Sequence, residues 1–229
     1  MTIHYHGMRV SPLPALMELA GRHFCVSHVD SSCVRRCHEI GQSVMLDNGA
    51  FSKWKSGKQT NWEAFYAWCD VWLDCPSTWA VPPDVIDAPV EEQDRLLREW
   101  PHGKRQAAPV WHMNEPIIRL TRLIDDGWSR VCVGSTAEFA QPLTPPWRRR
   151  MDEIWEALEL TYHRPPPLHM LRGLACTMED WPFLSVDSTD IARNHHLKGK
   201  TPRAMADRWD ALNTPVGWPI RLTKEDELR

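Results

Sequence analysis

The run Val44-Met45-Leu46-Asp47-Asn48 is a short apolar segment that ends in an ionisable residue, with Gly49-Ala50-Phe51 directly behind it. Apolar runs of this length bounded by polar and turn-forming residues read as buried strands. The same construction recurs at Ile3–His6, His23–His28, Trp79–Asp84, Pro109–His112, Val131–Ser135, Leu168–Arg172 and Phe183–Ser188. Between these runs, Leu13–Leu19, Trp62–Leu73, Val90–Trp100, Ile117–Ile124, Met151–Leu160 and Ala204–Leu212 carry apolar residues at helical spacing. Strand then helix, eight times over, predicts an α/β fold of the (β/α)8 TIM-barrel type, in which reactive groups project from the carboxyl ends of the strands. The polar residues that close the apolar runs stand at those ends.

A barrel of this kind takes about 250 residues, so 229 residues leave space for short loops and one compact domain over residues 1–229. The seven cysteines Cys25, Cys33, Cys37, Cys69, Cys75, Cys132 and Cys176 are odd in number and form no CxxC pair. Neither a disulfide framework nor a thiolate zinc site is expected, and a reducing, cytoplasmic setting fits. No apolar stretch approaches the roughly 20 residues of a membrane helix, and strand-like Ile3–His6 stands where a signal peptide would. A net charge of −3 argues against indiscriminate coating of nucleic acid. The charge is uneven: acidic residues crowd 70–99, while Arg148, Arg149, Arg150, Arg164, Arg172, Arg193, Lys198, Lys200, Arg203 and Arg208 make the later part basic. Such side chains are either solvated helix faces or phosphate-holding groups at the barrel mouth. The Pro-rich stretches Gln141–Trp147 and Arg164–Pro167 read as loops. Trp62, Trp68 and Trp72, three of thirteen tryptophans, fall at helical spacing and are expected to pack in the core.

Two strand ends carry the strongest chemical signals. In Met45-Leu46-Asp47-Asn48-Gly49-Ala50-Phe51, a carboxylate at the barrel mouth is followed by small residues that permit close approach, and then by an aromatic face. This suits a planar heterocycle held beside an acid or base; the plainer reading makes Asp47 a cap for the following turn. In Phe183-Leu184-Ser185-Val186-Asp187-Ser188-Thr189, Asp187 ends the eighth strand, with Ala192-Arg193-Asn194 just beyond. Strands three and eight are not ring neighbours, so Asp47 and Asp187 are expected to face one another across the mouth. One carboxylate can then attack a sugar's anomeric carbon while the other moves the proton, as covalent glycosyl transfer requires.

These residues resemble the guanine transglycosylases, which exchange a guanine for a 7-deazaguanine. Asp47-Asn48-Gly49-Ala50-Phe51 is similar to that family's Asp-Ser-Gly-Gly-aromatic stretch, and Asp84 in Ala80-Val81-Pro82-Pro83-Asp84 to its base-recognition Asp. Val110-Trp111-His112 resembles a strand end that reads the guanine carbonyl, with His112 in place of Gln, and Val133-Gly134-Ser135 the glycine-bearing end after it. Asp187 with Ala192-Arg193-Asn194 resembles the nucleophile and its following segment. The Cys-x-Cys-x-x-Cys…His zinc site of the tRNA enzymes has no counterpart in the sequence, so the expected fold is a barrel without the C-terminal zinc subdomain. In this the chain is more similar to the phage and bacterial enzymes that place 7-deazaguanines in DNA.

The resemblance implies Asp187 as nucleophile, Asp47 as proton-transfer group, and Asp84 pairing with the base N1–H and amino group. It further implies His112 with the Gly134–Ser135 backbone toward the base carbonyl, Asn48 in the site, Phe51 stacking, and Arg172 or Arg193 on a phosphate. The implied partners are nucleic acid, DNA before tRNA, and a 7-deazaguanine base, with no redox cofactor and no metal. Other readings stay open. His4, His6, His112 and Asp187 resemble the ligand positions of metal-dependent amidohydrolase-like barrels, although Ser135 stands where those enzymes want a His. Water in place of the incoming base gives a nucleobase N-glycoside hydrolase, a barrel that only binds a nucleobase is a third reading, and Asp84 after Pro82-Pro83 can simply cap the next helix.

Overall fold

The computed structural model describes residues 1–218. All eight expected strands form: β1 Ile3–Gly7, β2 His23–Ser27, β3 Ser43–Asp47, β4 Thr78–Ala80, β5 Val110–His112, β6 Val131–Gly134, β7 Leu168–Met170 and β8 Ser185–Ser188. They lie parallel in the order β4-β3-β2-β1-β8-β7-β6-β5. The sheet curls until its edges meet at a single parallel bridge between Ala80 and Ala107, giving a TIM-barrel-like α/β fold. Helices α1 Leu13–Met17, α2 Val34–Ile40, α3 Ala50–Lys55, α4 Trp62–Trp72, α5 Val90–Arg98, α6 Ile117–Asp125 and α7 Pro145–Thr161 connect the strands, and α8 Asp190–Asn194 and α9 Pro202–Asp210 follow β8. Between β7 and β8 the chain makes only the 3-10 turn Leu174–Met178. Among the described residues, no helix is long and apolar enough to cross a membrane.

Strand alternation sorts the side chains into two cores. Tyr5, Cys25, Met45, Trp79, Val110 and Cys132 fill the barrel interior. Their neighbours in sequence point outward: Phe24, Val26, Val44 and Leu46 pack on one helical arc with Phe65 and Cys69, and Val131, Val133, Leu168 and Val186 pack on the other with Leu120, Trp147, Ile154 and Leu158. Trp62, Trp68 and Trp72 lean on the first of these clusters as expected. The interior also holds polar groups, among them a bonded set around Tyr5. Tyr5 Oη accepts from Trp79 Nε1 at 2.8 Å and from Ser43 Oγ at 3.1 Å. With Met45 inward, Asp47 two residues on is inward too, and Asp187 is brought inward by its register with Tyr5.

Four sequence expectations change. The run Trp79–Asp84 keeps its ladder only to Ala80, because Pro82 and Pro83 have no N–H to donate. The stretch Gln141–Trp147 is not all loop: α7 begins at Pro145, with proline at the first helical positions, where the missing donor is no loss. Helix α2 buries only Val34 and Cys37, too few to show a period, and α3 follows a turn that reads as a binding loop. His4 and His6, out of phase with Tyr5, point to the helical layer, where His4 Nε2 meets Leu212 O at 2.9 Å and His6 Nε2 meets Asp210 Oδ1 at 3.0 Å. They do not gather with His112 and Asp187, so the ligand set of the amidohydrolase-like reading is not assembled.

Candidate active site

At the carboxyl end of β3, Asn48 uses its whole side chain. Its Oδ1 accepts from the Ala50 N–H at 2.8 Å, starting α3, while Nδ2 donates to Pro82 O at 2.8 Å and Asp84 Oδ1 at 2.7 Å. Asn48 thus takes the first helical N–H of α3, while Asp47 takes the Gly49 amide of the same turn. Gly49 adopts φ 78, and a Cβ there would lie 2.5 Å from Val29 Cγ2, so both backbone hand and space demand glycine. Asp47 is left pointing into the mouth. Burial raises its pKa to about 6; the Ser27 hydroxyl opposes this, the charges of Asp187 and Asp84 add to it, and the Gly49 amide opposes it.

Asp84, 6% exposed, follows β4 on an extended segment and caps no helix; α5 starts at Val90 with Pro89 before it. Its two oxygens are held by Asn48 and by His112 Nε2, the latter at 3.0 Å. Burial works to lower the His112 pKa, but the bond and charge of Asp84, with Glu115 behind, outweigh it and the net direction is upward. The ring is therefore a donor to Asp84, and Nε2 is turned to that carboxylate instead of to a base carbonyl. The His112 amide donates to Glu115 Oε2 at 3.1 Å, and Arg119 Nη1 binds the same oxygen at 2.6 Å, so Asp84 rests through His112 on a buried charged network.

Asp187, 8% exposed, accepts the Arg172 N–H at Oδ1, 2.7 Å away. Arg172 takes φ 55 to present that amide, a left-handed conformation that costs a non-glycine residue about 1–2 kcal/mol, offset here by a charge-assisted bond. His169, fully buried between the edges of Tyr5 and Trp79, places Nε2 3.4 Å from the same Oδ1 and Nδ1 2.8 Å from Ser185 Oγ. Burial lowers the His169 pKa, so a neutral ring approaches Asp187 from below. Both neighbours lie on Oδ1, which leaves Oδ2 for the cavity. The Arg172 guanidinium covers one face of Phe51 at 4.2 Å and donates to Ser135 O at 3.2 Å. Ser135 Oγ takes the Trp147 indole N–H at 2.9 Å, away from the mouth.

These groups line one cavity of about 680 Å³. It gathers the residues named for the transglycosylase reading, though not His4 or His6: Asp47, Asn48 and Phe51 from the β3 end, Asp84 from beyond β4, His112 from β5, Gly134 and Ser135 from the β6 end, Arg172 from beyond β7, Asp187 from β8 and Arg193 from α8. The basic residues of the later chain divide. Arg172 and Arg193 reach the cavity, whereas Arg148 is paired with Glu179 at 2.6 Å and Arg150 donates to Met113 O and Glu115 O at 2.9 and 2.7 Å. Trp54 and Lys55 on α3 also line the cavity; sequence reasoning passed over them because no α3 was expected. The support given to Asp187 by His169 was foreshadowed only by a polar residue amid an apolar run.

No family model and no curated protein matches the chain. Among solved structures, tryptophan synthase from M. tuberculosis in its aminoacrylate-bound form is similar at 10% identity, over 90% of this chain and 89% of that one, with a TM-score of 0.45. An open form of the same enzyme gives 11% identity, the same coverage and a TM-score of 0.44.

Proposed function

We propose that the chain is a base-exchange transglycosylase that replaces guanine in nucleic acid, DNA in the first instance, with a 7-deazaguanine. The observation that carries this reading is the presence of three carboxylates of different condition on one cavity. Asp84 is held at both oxygens, Asp47 is raised to about 6, and Asp187 is fixed through Oδ1 alone.

Asp187 Oδ2 attacks the anomeric carbon and the bond to guanine breaks, leaving a glycosyl ester. Asp47, with a pKa near neutrality, gives a proton to the departing base and takes N9–H from the incoming 7-deazaguanine. The second base attacks the same carbon and frees Asp187, so two inversions give net retention. Asp84 has about four lone-pair positions, of which Asn48 and His112 take two; the others accept guanine's N1–H and amino group, a pair no pyrimidine presents. His112 and Asn48 are positioning residues for that carboxylate. The target base must leave the duplex to enter the cavity, at a cost of a few kcal/mol.

The test is intact-protein mass spectrometry after incubation with guanine-containing DNA, alongside nucleoside analysis of DNA and tRNA from cells with and without the protein. A nucleoside adduct on Asp187 and a deazapurine nucleoside in DNA support the reading. Abasic sites with no incorporated base assign the chain to N-glycoside hydrolysis, and absence of both adduct and modified nucleoside overturns it.

A further inference from the structure

The cavity is acidic within and basic at one edge. Asp30, Asp47, Asp84, Asp87 and Asp187 line it, and Lys55 stands at the edge beside Phe51, Ser52 and Trp54, within a segment Phe51-Ser52-Lys53-Trp54-Lys55-Ser56-Gly57-Lys58 that has three cations and no acid. Phe51 is 40% exposed and Trp54 49% exposed, their ring centroids 5.8 Å apart with 33° between the planes. Large aromatics are not left in water by a shortage of core in this chain, since Trp111 and Trp147 are wholly buried. The Lys58 N–H returns to Lys53 O at 2.9 Å, with Gly57 at φ 66, so the end of α3 folds back and keeps the three lysines on one short segment. None of the three is ion-paired among the described residues, although Arg148, Arg119 and Arg22 all are.

We infer that Phe51–Lys58 is a strand-capture platform, on which Trp54 stacks against the nucleotide next to the extruded base while Lys53, Lys55 and Lys58 hold its phosphates. This rests on the transglycosylase reading for the place of the extruded base, and names how the polymer is held. Alternating cations and an open aromatic face are the two elements of sequence-tolerant single-strand binding. The acidic interior repels phosphate, so the backbone stays on the basic edge and only a base, which carries donors, enters among the carboxylates. A polyanionic peptide would satisfy the lysines and leave the exposed indole without a stacking partner.

The experiment is fluorescence anisotropy of labelled 15-nucleotide single strands, DNA and RNA of one sequence, against the full chain over a salt series. Trp54→Ala is expected to weaken binding by roughly 5- to 100-fold, with restoration by Trp54→Phe and an unchanged melting temperature. The triple variant Lys53→Gln, Lys55→Gln, Lys58→Gln is expected to reduce the slope of log affinity against log salt by about 2, three phosphates at roughly 0.7 each. Equal affinities and slopes for wild type and both variants, or displacement of the oligonucleotide by polyglutamate of equal charge as readily as by unlabelled strand, overturn the platform. The two readings fail separately. Wild-type binding that is sensitive to both variants, with no base exchange, keeps the platform and removes the transglycosylase; base exchange with binding indifferent to both variants does the reverse.

Discussion

Replacing Asp47 by Asn should make the protein more stable and inactive, and the size of the gain follows from its surroundings. A carboxyl that titrates at about 6 in the fold against an ordinary 3.8 carries a penalty on its ionised form of about 3 kcal/mol, at 1.36 kcal/mol for each factor of ten. The folded chain binds this proton more tightly than the unfolded chain between pH about 4 and 6. Stability therefore falls as pH rises through that window, and the whole deficit is present above it. Asn cannot ionise, so Asp47→Asn should exceed wild type by about 2 kcal/mol at pH 7, discounted because Asp47 keeps some contact with solvent, and should match it at pH 4. Urea unfolding followed by tryptophan fluorescence, run from pH 4 to 7.5, gives the difference between the two proteins and cancels every other titration. A variant no more stable than wild type at pH 7, or a gap that does not change with pH, would falsify the assignment of Asp47 as a strained acid. The gain in stability with loss of exchange is the trade expected where a site is kept in an unfavourable state for function.

Asp187→Asn and Asp187→Ala should both abolish incorporation of radiolabelled guanine, since neither forms the ester; near-wild-type exchange by Asp187→Asn would remove Asp187 as nucleophile. Asp84→Ala should lower stability by about 3 kcal/mol, because it leaves His112 buried without its partner, and should impair guanine more than hypoxanthine, which lacks the amino group; equal losses for both bases would leave Asp84 as scaffold. His112 titrates above its ordinary 6.5, so the stability it contributes is full below pH 6.5 and is lost as pH rises past that value; His112→Gln should flatten this limb in chemical denaturation, and an unchanged profile refutes the pairing. Activity should survive exhaustive EDTA treatment, and stoichiometric metal that is lost with His4→Ala or His6→Ala would restore the hydrolase reading.

The barrel was legible because short apolar runs and the helical spacing of the stretches between them are both written in apolar residues. Asp47 and Asp187 were legible for the same reason, each ending a run whose phase is fixed by Met45 or Tyr5. What escaped was set by tertiary partners. Nothing local in Pro82-Pro83-Asp84 announces that its carboxylate belongs to Asn48 and His112, the second of which lies 28 residues on. His169 stands in the sequence as a single polar residue within an apolar run, and only the register of β7 with β8 brings it beside Asp187. The phase that turns His4 and His6 outward was present in the sequence as the alternation with Tyr5, and the resemblance of spacing to a metal site obscured it.

The closure of the barrel gives its two halves unequal stiffness. Seven strand pairs are joined by ladders, but among the described residues β4 meets the segment leading into β5 by a single isolated bridge, Ala80 with Ala107, with the Ala108 N–H on Ala80 O at 2.9 Å. At the amino-terminal end of this seam the Gln106 amide reaches the carbonyls of Leu73, Cys75 and Thr78 at 2.9–3.0 Å; at the mouth, the Asp84–His112 ion pair spans it. The cylinder is thus slit along one side and pinned at both ends by side chains. Asp187 sits on the continuous wall and Asp84 on the slit one, so under the proposed function bond-making would occupy the rigid side and base selection the side able to yield. In amide hydrogen exchange the Ala108 N–H should accordingly be the first of the barrel's interstrand amides to lose protection, and its protection should fall further once pH rises past the raised pKa of His112, where the pin at the mouth loses its charge.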